Sequence, residues 1–90
     1  MKHSIVIIPW KKGLHLRPAA KIMMLAQRFQ SSIILKVNLR LANAKSLLAM
    51  LLLSATFETA VNLEVSGTDE EAAFKAMDAA FESKLTGHDR

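Results

Sequence analysis

Apolar residues recur along this 90-residue chain with two periods, and the switches between them outline its elements. Residues 4–8 and 33–37 (Ile33-Ile34-Leu35-Lys36-Val37) are aliphatic and rich in β-branched side chains, which favours strands with at least one buried face. Val61-Asn62-Leu63-Glu64-Val65 alternates strictly, so one side of that strand meets a core and the other meets water. Leu39 to Asn43 can return as a short strand after a turn at Asn38, a residue that tolerates positive φ. Helical spacing takes over at about 16–28, where Ala19, Ile22, Met23 and Ala26 share a stripe and Lys21 and Arg28 lie off it. A second helix is expected at about 47–54, apolar nearly all round. Thr68 and Glu71 have the spacing of a capping box that opens a last helix, with Phe74, Met77 and Phe81 on one face. Glu71 and Lys75 stand one turn apart and can pair.

The order strand, helix, strand, strand, helix, strand, helix implies an α+β fold, an open-faced sandwich with helices on one side of a four-stranded antiparallel sheet. Residues 1–90 are expected to form a single domain, since the chain can bury one core and not two. Thr86 to Arg90 reads as a frayed tail.

Composition agrees with a folded module, at 51% hydrophobic and 22% charged residues. Without cysteine there are no disulfides or thiolate metal sites, which is compatible with a reducing cytoplasm, the expected location. His3, His15 and His88 are too scattered for a metal-ligand spacing, so no metal is expected. The apolar run Ile5 to Ile8 stops at Pro9 before a signal-peptide core can form. The longest apolar run, Leu47 to Leu53, is far short of the roughly 20 residues of a membrane span, so no membrane insertion is expected.

Charge changes the picture, because the overall +4 hides a division along the chain. Residues 1–57 hold nine Lys or Arg and no acid, giving +9; residues 58–90 hold all eight acids against Lys75, Lys84 and Arg90, giving −5. A basic face for an acidic protein, or for a nucleic acid, follows as an expectation.

The candidate chemistry lies in Gly13-Leu14-His15-Leu16-Arg17-Pro18-Ala19-Ala20. Proline suits the first turn of a helix, and Gly13 permits a sharp bend just before it, so His15 is placed where the helix begins. The first N–H groups of a helix are unpaired and partially positive, which suits an anion there, and Leu16 and Arg17 supply them. Arg17 adds a fork of charge-assisted donors. The chemistry that fits is transient phosphorylation of His15, since neutral imidazole is nucleophilic near physiological pH.

This segment resembles the active-site signature of HPr and its nitrogen-branch paralogue NPr, the histidine phosphocarriers of the bacterial phosphotransferase system. The similarity runs without gaps through Asn43-Ala44-Lys45-Ser46, the second helix and Gly67-Thr68-Asp69-Glu70. Lys12 departs from a small polar residue, Leu16 from Ala or Thr, and Leu39 and Glu58 from frequent glycines. Residues 47–54 also lack the glycines common there and read closer to the nitrogen-branch type.

The resemblance implies a relay and not an independent enzyme. His15 would accept a phosphoryl group, derived ultimately from phosphoenolpyruvate, from enzyme I and pass it to an EIIA-type acceptor, with no bound cofactor. Leu47, Leu48 and Leu51 would form an apolar docking patch, steered by Arg17, Lys21 and Lys45, while Met50 and Leu53 face the sheet. Ser46 has two readings, an N-cap for the second helix or a target for a regulatory serine kinase. Trp10, Lys11 and Lys12 can contact a partner, although such a tryptophan more often packs against a sheet edge. Two rival functions remain: a regulatory nitrogen-branch carrier without a role in sugar uptake, and a basic nucleic-acid-binding module. The second explains the charge but not the histidine motif, and an aromatic stacking platform is lacking apart from Trp10 and Phe29.

Overall fold

Strict alternation at Val61 to Val65 suits a strand with one buried and one open face, and this segment has that burial pattern between two neighbouring strands. The computed structural model describes residues 1–82. Its strands are β1 (Lys2–Ile7), β2 (Ser32–Val37), β3 (Arg40–Asn43) and β4 (Ala60–Ser66); its helices are α1 (Leu16–Ala26), α2 (Leu47–Leu53) and α3 (Glu70–Phe81). The sheet is antiparallel throughout, in the order β1-β4-β2-β3. The expected α+β order and four-stranded sheet are therefore present. The tail expected at Thr86 to Arg90 lies outside the described residues.

One face of the sheet carries Val6, Ile33, Leu35, Val37, Val61, Leu63 and Val65, all buried under the helices. Ile22 of α1, Met50 and Leu53 of α2, and Met77 and Phe81 of α3 close this core, each side chain contributing about 1.5–3 kcal/mol by leaving water. Met50 and Leu53 thus face inward as expected. The opposite face is open, with Ile5 and Ile7 exposed and Lys36 paired to Glu64 at 3.3 Å.

Two element ends differ from the local reading. Helix α1 stops at Ala26, short of residue 28, because the chain tightens: the Arg28 and Phe29 amides donate to the Leu25 and Ala26 carbonyls, three residues back. Helix α3 begins at Glu70, and the capping box expected at Thr68 and Glu71 is displaced by one residue. The Gly67 amide donates to Glu70 Oε1 at 3.1 Å, while Glu71 reaches across to Lys2 at 3.5 Å rather than along the helix to Lys75.

A distant contact causes that displacement. The N-cap residue Asp69 makes no side-chain cap bond; its carboxylate instead accepts the Gln30 and Ser31 amides, each at 2.9 Å, and the Ser31 hydroxyl. Gly67 has φ +149°, and a Cβ there would lie 2.6 Å from Ser31 Cα, so glycine permits this close approach. The α1–β2 connection is thereby fastened to the start of α3.

Donation by the Ser31 hydroxyl and then by the Gln30 amide lowers the Asp69 pKa. Glu70 is lowered by the Gly67 amide and then by the Met1 ammonium, 3.0 Å away. A carboxylate with a lowered folded pKa stabilises the fold above its ordinary value, 3.8 for Asp69 and 4.5 for Glu70. That contribution is lost as pH falls through the folded value. Asp69→Asn is expected to lower the Tm at neutral pH and to flatten its decline in acid, followed by circular dichroism from pH 7 to about 2. Parallel Tm curves for the two proteins would contradict this account.

Candidate functional site at the start of the first helix

The site is built by a short loop pressed against another. After β1, the Trp10 carbonyl accepts the Gly13 amide at 2.8 Å, closing a four-residue turn with Lys11 and Lys12 exposed at its tip. Gly13 has φ +77°, and a Cβ on it would sit 2.6 Å from the Ala55 carbonyl oxygen. That same oxygen accepts the Leu14 amide at 2.9 Å, and Leu14 is buried. Only glycine combines this conformation with this approach. The chain then enters α1 with His15 as N-cap, extended at φ −91° and ψ −172°.

His15 places its carbonyl on the Ala19 amide at 3.0 Å, and its ring does not cap the helix. The ring is half-buried, with Nε2 out of contact with solvent. Leu16 and Arg17 occupy the first two helical positions, whose amides have no intrahelical partner, and Pro18 removes the third donor. No acidic residue lies in the first turn of α1. The positive end of the helix, worth about 0.5 of an elementary charge, is therefore available to an anion beside His15. Arg17 is exposed at the same end.

Helix α2 runs beside α1 with its C-terminal end at the histidine, through the Leu14–Ala55 bond, and its N-terminal end beside Gln27 and Phe29 at the far end of α1. The Ser46 hydroxyl accepts the Ala49 amide at 3.2 Å, the cap that its position suggests. Of the proposed docking residues, Leu48 is 66% exposed, whereas Leu47 and Leu51 are half-buried against the core. Leu52, at 65%, and Phe57, at 43%, are exposed apolar residues that the motif reading misses. In a helix apolar on every side, only tertiary packing decides which leucines remain in water. On α1, Lys21, Met24, Leu25 and Arg28 line an open groove of about 270 Å³. Met24 lies off the buried stripe, which is the sequence signal for its exposure. Lys45 is less available than its position suggests, because its ammonium donates to the Phe29 carbonyl at 2.7 Å.

Folding also breaks up the basic half of the chain. Lys2 meets Glu71 and Lys36 meets Glu64, so cations and acids separated in sequence become neighbours. No helix among the described residues is long and apolar enough to cross a membrane. Trp10 is 7% exposed and its ring centroid lies 5.6 Å from that of Phe81, so it is a packing residue rather than a partner contact.

His15 thus caps an acid-free helix start in a small open-faced sandwich, and comparison with known proteins identifies the class. The family model described as the phosphorylation site of the HPr component of the phosphotransferase system matches residues 2–83. Phosphocarrier protein HPr of Xylella fastidiosa is 33% identical over 85 residues, 94% of each chain. Phosphocarrier protein NPr of Proteus mirabilis is 39% identical over 79 residues, 87% of this chain and 88% of the other. The crystal structure of HPr from Thermoanaerobacter tengcongensis superposes with a TM-score of 0.89 at 37% identity, covering 96% of this chain and 97% of that one. This chain belongs to the HPr family: it is a phosphocarrier component of the phosphotransferase system with a histidine phosphorylation site, and not itself an enzyme. Membership in this family implies partners of the enzyme I and EIIA kinds.

Gly13→Ala tests the loop contact. Left-handed strain and the Ala55 overlap are expected to cost about 2 kcal/mol, lowering the Tm by roughly 10 °C in thermal melts. A melt indistinguishable from that of the unmutated chain would show that the two loops do not constrain one another.

Proposed function

We propose that His15 is the phosphoryl acceptor and that the chain relays the group from phosphorylated enzyme I to an EIIA-type protein. One observation carries this reading: His15 is the N-cap of α1, directly ahead of Leu16 and Arg17, whose amides have no intrahelical partner, with no acid in that turn. Because Nε2 lies out of solvent, the incoming phosphorus meets Nδ1. The Nδ1 lone pair forms the new N–P bond while the donor's bond to phosphorus breaks, returning its electron pair to the donor. Negative charge on the equatorial oxygens is then held by the Leu16 and Arg17 amides and by the Arg17 guanidinium.

Positioning falls to the docked partner. Leu47, Leu48, Leu51 and Leu52 on α2, with Met24 on α1, supply an apolar contact area, and Arg17, Lys21, Arg28 and the remaining donors of Lys45 favour an acidic rim on the partner. Such contacts are small and short-lived, as a carrier that alternates between partners requires. The cap role of Ser46 accounts for that serine without a kinase. The setting we infer is the cytoplasm.

The test is intact-mass spectrometry after incubation with phosphoenolpyruvate and enzyme I. The unmutated chain gains one acid-labile phosphoryl group and His15→Ala gains none. Arg17→Ala gains it about tenfold more slowly. Offering sugar-type and nitrogen-type EIIA proteins separately then identifies the acceptor by which one discharges the carrier. Labelling of the His15→Ala variant at another histidine would overturn the assignment.

A further inference from the structure

The Trp10 ring is absorbed neither by the phosphoryl site nor by the docking surface, yet it sits at the root of the loop that holds His15. It is the only tryptophan of the chain, it is 7% exposed, and it packs at an interplanar angle of 52° on Phe81, the last residue of α3. A centroid separation of 5.6 Å at that tilt lies in the favourable range for an aromatic pair. The backbone of the same residue begins the active-site turn, its carbonyl accepting the Gly13 amide at 2.8 Å. Beyond Gly13, the Leu14 amide is fixed on Ala55 and the His15 amide donates to the Gly13 carbonyl at 2.9 Å. Side chain and backbone of Trp10 thus anchor opposite things: the ring to the end of a helix, the carbonyl to the turn that aims the histidine.

From this chain of contacts we infer that Trp10, through its stack on Phe81, is a positioning residue for His15. The inference rests on the reading of His15 as phosphoryl acceptor. The α3 helix starts beside Lys2 and ends beside Trp10, so it runs the length of β1 and delivers Phe81 to the far end, under the loop. The tip of the turn, Lys11 and Lys12, is exposed, and Trp10 and Gly13 close its two ends. Gly13 supplies the conformation and Trp10 supplies the rigid mount. If the indole is replaced by a smaller or differently shaped group, the turn can tilt on Gly13. His15 then approaches the phosphorus off line, although the docking surface on α2 is unaltered.

Phosphorylation kinetics with phosphorylated enzyme I test the inference, at a temperature where circular dichroism shows every variant folded. Trp10→Leu and Phe81→Leu are expected to lower kcat about tenfold while KM for the carrier stays within about twofold, because misalignment acts on the transfer and not on docking. Trp10→Phe keeps an aromatic stack and is expected to restore most of the rate. Phe81→Leu alters the stack without changing a residue of the loop, and it decides the matter if Trp10→Leu fails to fold. Unchanged kcat in Phe81→Leu, or a loss confined to KM, would overturn the role of Trp10 while leaving His15 as acceptor. Absence of label on His15 in the unmutated chain would overturn both.

Discussion

The close approach of Gly13 to the Ala55 carbonyl governs this molecule, because the histidine reaches the helix start only through it. The loop after β1 and the segment after α2 are held as a pair: the Ile8 amide donates to Thr59, the Glu58 amide to Ile8 and the Leu14 amide to Ala55. A Cβ at Gly13 would enter the space of that last acceptor. The partner segment bears the strain of this arrangement, with Ser54 at φ +58° and Glu58 at φ +67°, left-handed positions that cost roughly 1–2 kcal/mol each without glycine. Glycine adopts such a conformation most easily, and Glu58 takes it without being glycine.

Electrostatics distinguishes the two longer helices. Helix α3 has Glu70 and Glu71 in its first turn and Asp69 at its cap, so its positive end is already matched. Helix α1 has no acid in its first turn, and its cap residue, His15, makes no side-chain cap bond. In the proposed relay, an arriving phosphoryl group supplies the negative charge that α1 lacks. The uneven distribution of acids along the sequence serves the same end. Acids from the second half meet Lys2 and Lys36 in or beside the sheet, leaving Arg17, Lys21 and Arg28 exposed.

Much of this is legible in the residues themselves. Alternation at Val61 to Val65 marks a strand with one buried face, and Gly13, His15 and Pro18 mark the start of α1, because those signals are local conformational requirements. The remainder depends on partners distant in sequence. Asp69 is drawn from capping α3 by Gln30 and Ser31, 39 and 38 residues away, so the local spacing of Thr68 and Glu71 misplaces the helix start. Lys45 reads as a free cation until the fold brings the Phe29 carbonyl to it. Likewise, an all-apolar α2 gives no local sign that Leu48 and Leu52 are the leucines left in water.

We propose that Nδ1 of His15 takes the phosphoryl group and that the α1 amides hold the product. Long-range nitrogen–proton correlation spectra of the phosphorylated chain test it most directly. The account predicts a phosphorus coupling at Nδ1 of His15, with the largest amide shifts at Leu16 and Arg17. A coupling at Nε2 or at His3, or amide shifts that bypass the start of α1, would contradict it.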